Sequence, residues 1–311
     1  MCSPTINAQS TPNQPPEHSA PFPNLGTGES REEVIESFEL APQLERGIDA
    51  RALLRQQRLL ASAFASLQPQ RAGTVDAYVI TIALDSDPVF AREAREAGRV
   101  LASRYDAAGR TLTLAGPDGE RDDLPRGSID SLLTSIAHIA EVMDTEEDVL
   151  VLYTTSHGNK LGLAYHYGDS GYGVLSPARL ASAFEEVGID RRILIISACY
   201  AGVFVQPLAS ADTAILTAAA SERNSFGCAA ENDWTFYGDA LINRAMRQPQ
   251  SLAEVARVTN RTIAGWETTR GLLASLPQSV IGANVAQWLP ALEARMPQVA
   301  SAPVGRPAVG E

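Results

Sequence analysis

Apolar residues in the central part of the chain fall into two kinds of segment that alternate. Some are short runs that are apolar nearly throughout and rich in β-branched residues, which indicates strands buried on both faces. These predicted strands cover residues 76–84, 110–115, 148–156, 191–200 and 213–220. The segments between them repeat apolar residues every three or four positions, the spacing of a helix with one buried face. The alternation predicts an α/β fold, with a mainly parallel β-sheet flanked by helices on both faces.

Composition divides the chain into four parts. Residues 1–30 are rich in Pro, Ser, Asn and Gln, and are predicted to be disordered because they bury too little apolar surface to offset their ordering entropy. Residues 31–72 have helical periodicity and are predicted to form a helical arm. Residues 73–292 hold the alternating strands and helices and are predicted to form one domain. Residues 293–311 are a polar, Pro-rich tail that is predicted to be disordered.

The overall charge narrows the range of partners. The 311-residue chain has a formal net charge of −12 and an isoelectric point of about 4.9. Nucleic-acid binding needs a basic stripe and docking on an anionic membrane needs a basic patch, so neither partner is expected. No apolar run reaches the ~18 residues of a membrane-spanning helix, and no span is predicted.

The first residues and the cysteines bear on localisation. The N-terminus lacks the basic region and apolar core of a secretory signal peptide, so a cytoplasmic protein is expected. Cys2 leaves an alternative open: it would be the acylated residue of a periplasmic or lipid-anchored protein if translation started upstream. The chain has three cysteines, which are too few for a disulfide framework in a chain of this length.

Two of the predicted strands end in a reactive side chain followed by small residues. His157 follows one strand in TTSHG, and Cys199 ends another in SACYAG. The carboxyl ends of parallel strands meet at one edge of a sheet, where sites in open α/β sheets form. If these strands are neighbours, the thiol and the imidazole form the nucleophile and base of an acyl-transfer site. The alternative is that both are ordinary strand-end residues, since a lone cysteine is often a small buried apolar side chain.

The order of residues along the chain excludes several kinds of enzyme. No histidine follows Cys199, whereas papain-like peptidases and class I amidotransferases place the base after the nucleophile. Ser197 and Ala201 stand where the α/β-hydrolase elbow needs glycine. The chain has no glycine-rich phosphate-binding motif and no metal-ligand spacing, so neither a cofactor nor a metal is predicted.

The two motifs together resemble those of the legumain-like cysteine peptidases, which belong to the same clan as caspases. Residues 221–241, SERNSFGCAAENDWTFYGDAL, resemble the legumain segment that forms one wall of the primary specificity pocket. TSHG, SACYAG and SFGC are most similar to those of a bacterial branch of the family. The resemblance covers about residues 75–290. It implies a caspase-like three-layer sandwich and cysteine endopeptidase activity.

The resemblance also implies roles for individual residues. His157 would be the general base and acid, Cys199 the nucleophile, and the backbone N–H groups of Gly158 and Cys199 the oxyanion donors. Ser225 falls on the pocket wall and Asp239 matches a pocket carboxylate, so both are predicted to bind the substrate, a peptide or protein. Cys228 is interpreted as a packed thiol of the pocket wall.

Two departures from the legumain pattern surround the expected dyad. Tyr200 stands where legumain has an acidic residue directly after its nucleophile. No asparagine matches the one that supports the catalytic histidine of legumain, and Asp85 and Asp87 are the two candidates to orient His157 instead. The departures put the specificity in question more than the type of reaction.

A third departure concerns the specificity pocket itself. Arg92 is only an approximate counterpart of the arginine in the legumain pocket. A pocket that keeps Asp239, with Glu231 or Asp233 nearby, and that lacks a matching arginine would favour a basic P1 side chain over asparagine. The alternative is that the segment around these acidic residues is a solvated loop.

Three functions are compatible with the sequence. The first is a cysteine endopeptidase that forms a thioester acyl-enzyme through the His–Cys dyad. The second is a transpeptidase or transamidase, in which an amine replaces water at deacylation on the same dyad. The third is a non-catalytic binding module with a caspase-like fold.

Overall fold

The computed structural model describes residues 26–116 and 121–310. The predicted disorder at the N-terminus falls mainly on residues 1–25, which lie outside the described residues, as does Cys2. In the described part of the chain, no helix combines the length and the hydrophobicity needed to cross a membrane.

The described residues form ten strands and nine α-helical segments. The strands are β1 (Gln43–Glu45), β2 (Ala77–Ala83), β3 (Thr111–Leu114), β4 (Val149–Thr155), β5 (Gly158–Asn159), β6 (Gly162–Tyr167), β7 (Gly171–Leu175), β8 (Arg192–Ser197), β9 (Thr213–Thr217) and β10 (Gln278–Ile281). The helices are α1 (Arg31–Glu39), α2 (Ala50–Ala65), α3 (Pro88–Arg104), α4 (Ile129–Val142), α5 (Pro177–Val187), α6 (Val205–Leu208), α7 (Phe236–Gly238), α8 (Leu252–Thr269) and α9 (Val285–Glu293). All five predicted strands are present, as β2, β3, β4, β8 and β9.

Six strands form the main sheet, in the order β10-β9-β8-β4-β2-β3. All neighbours pair in parallel except β10, which runs antiparallel to β9 at one edge. Every residue of β2, β4 and β8 is buried, because helices cover both faces. The expected mainly parallel sheet is therefore confirmed.

Alternate residues of each central strand contribute to two separate cores. Val79 and Val151 face the layer formed by α3, α8 and α9, whereas Ile80 and Leu152 face α4 and α5. Helices that pack on both faces of one sheet make three layers. The predicted three-layer α/β sandwich is confirmed by this arrangement.

A second, smaller sheet corrects the expected helical arm. Residues 31–72 form α1 and α2, but β1 lies between them and pairs with β7 in a four-stranded sheet of order β1-β7-β6-β5. Glu45 of β1 accepts hydrogen bonds from Tyr165 (2.8 Å) and Arg126 (2.7 Å). This segment is therefore built into the domain rather than being an arm that leads to it.

The C-terminal tail also differs from the expectation of disorder. Residues 294–310 have no helix or strand, yet they lie along the domain and form hydrogen bonds with its side chains. The Val304 carbonyl accepts from Trp234 Nε1 (2.9 Å), and the Val304 N–H donates to Asn243 Oδ1 (2.8 Å). The Ala308 N–H donates to Asp239 Oδ2 (2.9 Å). The tail is anchored by polar side chains of the domain, which composition alone does not reveal.

We expect Asp239→Ala to lower the free energy of unfolding by about 2–3 kcal/mol, because it leaves buried donors without an acceptor. The Asp239 carboxylate is fully buried and accepts from Asn243, from Arg244 and from the Ala308 N–H. Urea denaturation and the rate of proteolysis in the tail measure the effect. Asp169→Ala, which removes an exposed carboxylate that pairs with Arg46, is the control and should leave both measurements unchanged.

Candidate active site

The ends of β4 and β8 bring the two predicted catalytic residues to the same edge of the sheet. The strands are neighbours, and Thr155 pairs with Ser197 at their last aligned position. The Ser156 N–H donates to the Ser197 carbonyl (3.2 Å), which holds the register to the strand ends. His157 lies two residues after Thr155, and Cys199 lies two residues after Ser197. Parallel pairing therefore places both residues at the carboxyl edge, where sites form in such sheets.

Gly158 lies directly against the main chain of the cysteine. A Cβ atom at position 158 would lie 2.3 Å from the Cys199 carbonyl oxygen, a distance that real Cβ atoms essentially never show. The preceding residue is held by the hairpin that follows, because Ala164 N–H donates to the His157 carbonyl (2.9 Å). Only glycine allows the two strand ends to approach this closely.

A carboxylate stands beside the imidazole. Asp87 Oδ2 lies 3.5 Å from His157 Nε2, and both side chains are about half exposed. The Phe90 ring contacts the imidazole edge-on, with 5.0 Å between ring centroids. Of the two candidates considered from the sequence, Asp85 pairs instead with His166 Nδ1 at 3.5 Å. Of the two, Asp87 is therefore the carboxylate placed to orient His157.

His166 belongs to the small sheet. It lies on β6 and pairs with Tyr172 of β7, while the first residues of β6 pair with Gly158 and Asn159 of β5. Its side chain is partly exposed and contacts Tyr172 as well as Asp85. His166 thus borders the edge that carries the dyad residues without contacting the sulfur.

The sulfur of Cys199 is held by the segment that was predicted to form the pocket wall. Cys199 Sγ accepts a hydrogen bond from the Ser225 N–H at 3.2 Å and lies 3.5 Å from the Ser225 carbonyl. Tyr200 has a left-handed backbone (φ 57°), and its N–H donates to the Arg223 carbonyl at 2.8 Å. This sharp turn ends the strand directly at the cysteine. Ser225 therefore reaches the site, through its main chain.

The surroundings of Cys199 favour its thiolate. A hydrogen bond with the Cys228 thiol lowers the pKa of Cys199 to about 6; the Ser225 N–H and the charge of His157 act in the same direction, and burial opposes them. The pKa of Cys228 is raised by its hydrogen bond to Cys199, by burial and by the charges of Glu93 and Asp85. The surroundings of the pair therefore favour a thiolate on Cys199 and a protonated thiol on Cys228.

We expect Cys228→Ala to move the alkylation of Cys199 to higher pH. Reactivity follows the thiolate, so it rises as pH increases through the pKa of about 6 and is lost below it. Without the Cys228 donor that pKa rises, and the ascending limb of the profile moves upward. The rate of iodoacetamide alkylation against pH measures the shift. Cys228→Ser keeps a donor and should restore most of the wild-type profile; an unshifted Cys228→Ala profile would contradict the prediction.

Asp239 does not lie in the site, and the predicted substrate-binding role is corrected. Its carboxylate is fully buried and already accepts from Asn243, Arg244 and Ala308. The resemblance aligned this position with a pocket residue, but in the structure it begins a π-helical turn, Asp239–Arg244, that faces the tail.

Of the other two acidic residues of the predicted pocket, Asp233 has a carboxylate that is already paired with arginines. Asp233 pairs with Arg306 of the tail (3.1 Å) and lies 3.9 Å from Arg92. Arg306 also donates to the main-chain carbonyl of Glu231. Asp233 and Asp239 are therefore paired with arginines of the chain, and the preference for a basic P1 side chain stays a prediction.

Glu93 was missed in the sequence and lies directly beneath the dyad. It is completely buried, and its carboxylate accepts hydrogen bonds from Tyr153, Thr155, Ser197 and the Thr235 N–H. A signal was present, since Glu93 stands three residues after Phe90 in the apolar stripe of α3. A charged residue on a buried helix face indicates a specific polar partner.

No metal site accompanies this arrangement in the described residues, where no group of three or more His, Cys, Asp or Glu side chains is arranged to hold an ion. A cavity of about 310 Å³ lies next to the Asp85–His166 pair. Ala83, Ala91 and Ala115 line it and belong to the apolar cluster against which Cys228 packs. The cavity and Cys228 thus share this apolar cluster.

The chain is similar to known proteins in sequence and in structure. The model of the peptidase C13 family matches residues 130–287, which are just over half of the chain and include His157 and Cys199. Among solved structures, caspase-1 from Spodoptera frugiperda is similar with a TM-score of 0.46 and 13% sequence identity, over 70% of this chain and 93% of that one. No curated protein matches the chain.

Proposed function

We propose that this chain, which belongs to the peptidase C13 family, is a cysteine endopeptidase with Cys199 as nucleophile and His157 as general acid and base. Membership of the family makes it a cysteine peptidase. The observation that carries the assignment of the dyad is the meeting of two neighbouring strand ends, one with the imidazole and one with a thiol whose pKa is lowered to about 6.

Acylation begins with the Cys199 thiolate. It attacks the carbonyl carbon of the scissile bond, and the carbonyl oxygen takes up the negative charge. The backbone N–H groups of Gly158 and Cys199 donate to that oxygen, and the missing Cβ at Gly158 allows their approach. Protonated His157 gives its proton to the leaving amine as the carbon–nitrogen bond breaks, which leaves a thioester on Cys199.

Deacylation reverses the proton transfers. Neutral His157 removes a proton from water, and the resulting hydroxide attacks the thioester carbon. The carbon–sulfur bond then breaks, which releases the carboxylic acid product and restores the Cys199 thiolate. Asp87 beside Nε2 orients the ring and leaves Nδ1 as the nitrogen that exchanges protons with the substrate.

The substrate side chain next to the cleaved bond is proposed to enter the cavity beside the Asp85–His166 pair. Alanines border that cavity, together with this pair and the charged side chains of Arg126 and Asp169. Alanine walls leave room for a long side chain, and the ionisable pair offers both a carboxylate and an imidazole at its edge. The preference for the P1 side chain is therefore determined by contacts on the β2 side of the dyad rather than by Asp239.

The test is cleavage of a fluorogenic peptide library that varies only at P1, with products identified by mass spectrometry. We expect cleavage within the peptides. We also expect a thiol-directed active-site probe to label Cys199 of the wild-type protein. His157→Ala should reduce both the cleavage and the labelling. Products carrying an added amine in place of water would assign transpeptidation instead, and an unlabelled wild-type protein would indicate a non-catalytic module.

A further inference from the structure

Glu93 makes a set of contacts that joins the separate parts of the site. Glu93 Oε1 accepts from Tyr153 Oη (2.5 Å), Thr155 Oγ1 (2.8 Å) and Ser197 Oγ (3.1 Å), and Oε2 accepts from the Thr235 N–H (2.8 Å). All four donors are uncharged. A carboxylate with no exposed surface is costly unless its oxygens are hydrogen-bonded, and four donors satisfy this requirement.

Two of the donors are the residues that end the catalytic strands. Thr155 is the last residue of β4, two positions before His157, and Ser197 is the last residue of β8, two positions before Cys199. One oxygen of Glu93 therefore bonds both strand ends at once. A shared acceptor sets the distance between them more tightly than apolar packing would, because hydrogen bonds are directional.

The second oxygen reaches the pocket wall. Thr235 is followed by Phe236, whose N–H donates to the Phe226 carbonyl at 3.0 Å. Phe226 follows Ser225, whose N–H donates to Cys199 Sγ. Three hydrogen bonds, joined by the main chain of the wall, thus connect Glu93 to the sulfur of Cys199.

The backbone near Thr235 is also shaped to receive the carboxylate. A Cβ atom added to Gly238 would lie 2.0 Å from Glu93 Oε2, so glycine lets the first turn of α7 approach it. Phe90, Ala94 and Ala97, which surround Glu93 on the buried face of α3, are apolar, and the nearby Glu96 is paired with Arg247. An apolar residue would fill the site at lower cost, so a directional role accounts for the carboxylate better than packing does.

We propose that Glu93 is a positioning residue that fixes the spacing of the two catalytic strand ends and holds the pocket wall against the Cys199 sulfur. The inference rests on the proposed function, in which that spacing sets the rate of acylation. Because displacements near 1 Å can reduce catalysis about 100-fold, loss of the bonds to Glu93 should reduce kcat strongly.

Glu93→Gln tests the proposal because it keeps the volume of the side chain. Its amide offers one acceptor oxygen and one donor group, so one set of partners loses its acceptor. At a temperature where circular dichroism shows the variant to be fully folded, we expect kcat to fall about 10- to 100-fold. The pH midpoint of Cys199 alkylation should move upward as the Ser225 N–H is withdrawn, an effect that a purely structural role would not produce.

Glu96→Gln is the matched control. Glu96 lies one turn further along α3 and forms an almost fully buried ion pair with Arg247 at 2.5 Å. The control should lower the melting temperature and leave kcat and the alkylation profile unchanged. Wild-type kcat and an unchanged alkylation profile in folded Glu93→Gln would overturn the proposal.

Two further variants cover the case in which Glu93→Gln does not fold. Thr155→Val and Ser197→Ala each remove one donor and keep the carboxylate, and each should lower kcat with an upward shift of the alkylation midpoint. Wild-type values in both would also overturn the proposal. The alkylation profile needs no peptide substrate, so it reports on Glu93 even if the wild-type protein cleaves no peptide, which is the result that would contradict the proposed function.

Discussion

Cys199→Ala is expected to abolish peptide hydrolysis, with kcat reduced by at least about 10⁴-fold. The variant has no atom that can form the thioester, and the remaining groups only bind and orient the substrate. The alanine fits the same space without a clash, so the fold should be retained. Initial rates on the best fluorogenic peptide, together with the melting temperature, measure the two effects separately.

The second thiol provides the control for this result. Cys228 contacts Cys199 but is not placed to attack the substrate, and its raised pKa keeps it protonated. Cys228→Ala should therefore retain substantial activity at alkaline pH, where Cys199 is ionised even without its donor. Full activity in Cys199→Ala, or a complete loss of activity in Cys228→Ala at high pH, would indicate that Cys228 rather than Cys199 is the nucleophile.

Gly158→Ala is expected to reduce kcat/KM by about 100-fold while the protein stays folded. The new Cβ would lie 2.3 Å from the Cys199 carbonyl oxygen, so the two strand ends have to separate. This separation moves the nucleophile relative to His157 and removes Gly158 from the position of an oxyanion donor. Steady-state kinetics detect the loss, and the heat-induced unfolding curve shows how much of the domain is disturbed.

Gly265→Ala is the matched control for this substitution. Gly265 lies inside α8, and a Cβ atom there would meet no heavy atom within 4 Å. It should leave kcat/KM unchanged and raise stability slightly, because alanine is the better helix former. If both substitutions leave activity unchanged, the close approach of Gly158 and Cys199 has no part in catalysis.

The main sheet, and the placement of His157 and Cys199 at its carboxyl edge, could be predicted because both depend on local patterns. Buried parallel strands are nearly continuous apolar runs, and His157 and Cys199 each end one of them. The small sheet was missed because β5, β6 and β7 are short and rich in glycine, with no clear alternation of apolar and polar residues. β1 is only three residues long and pairs with a strand more than 120 positions away, so no local signal marks it.

The remaining misassignments come from long-range contacts. Asp85 and Asp87 are two positions apart, and only the packing of α3 against the sheet shows which of them meets His157. Asp239 resembles a pocket residue in alignment, but contacts with Arg244 and the tail turn it into the interior. Glu93 was overlooked because its partners are 60 to 142 positions away along the chain.

The contacts of the C-terminal tail determine the order in which the parts of the site can come together. The Trp234 indole is held by the Val304 carbonyl, 70 positions later, and the Asp233 carboxylate is held by Arg306, 73 positions later. A ribosome therefore completes both strand ends and the whole wall segment well before it makes the residues that secure that wall. During synthesis, Cys199 is therefore made before the residues that hold this wall in place.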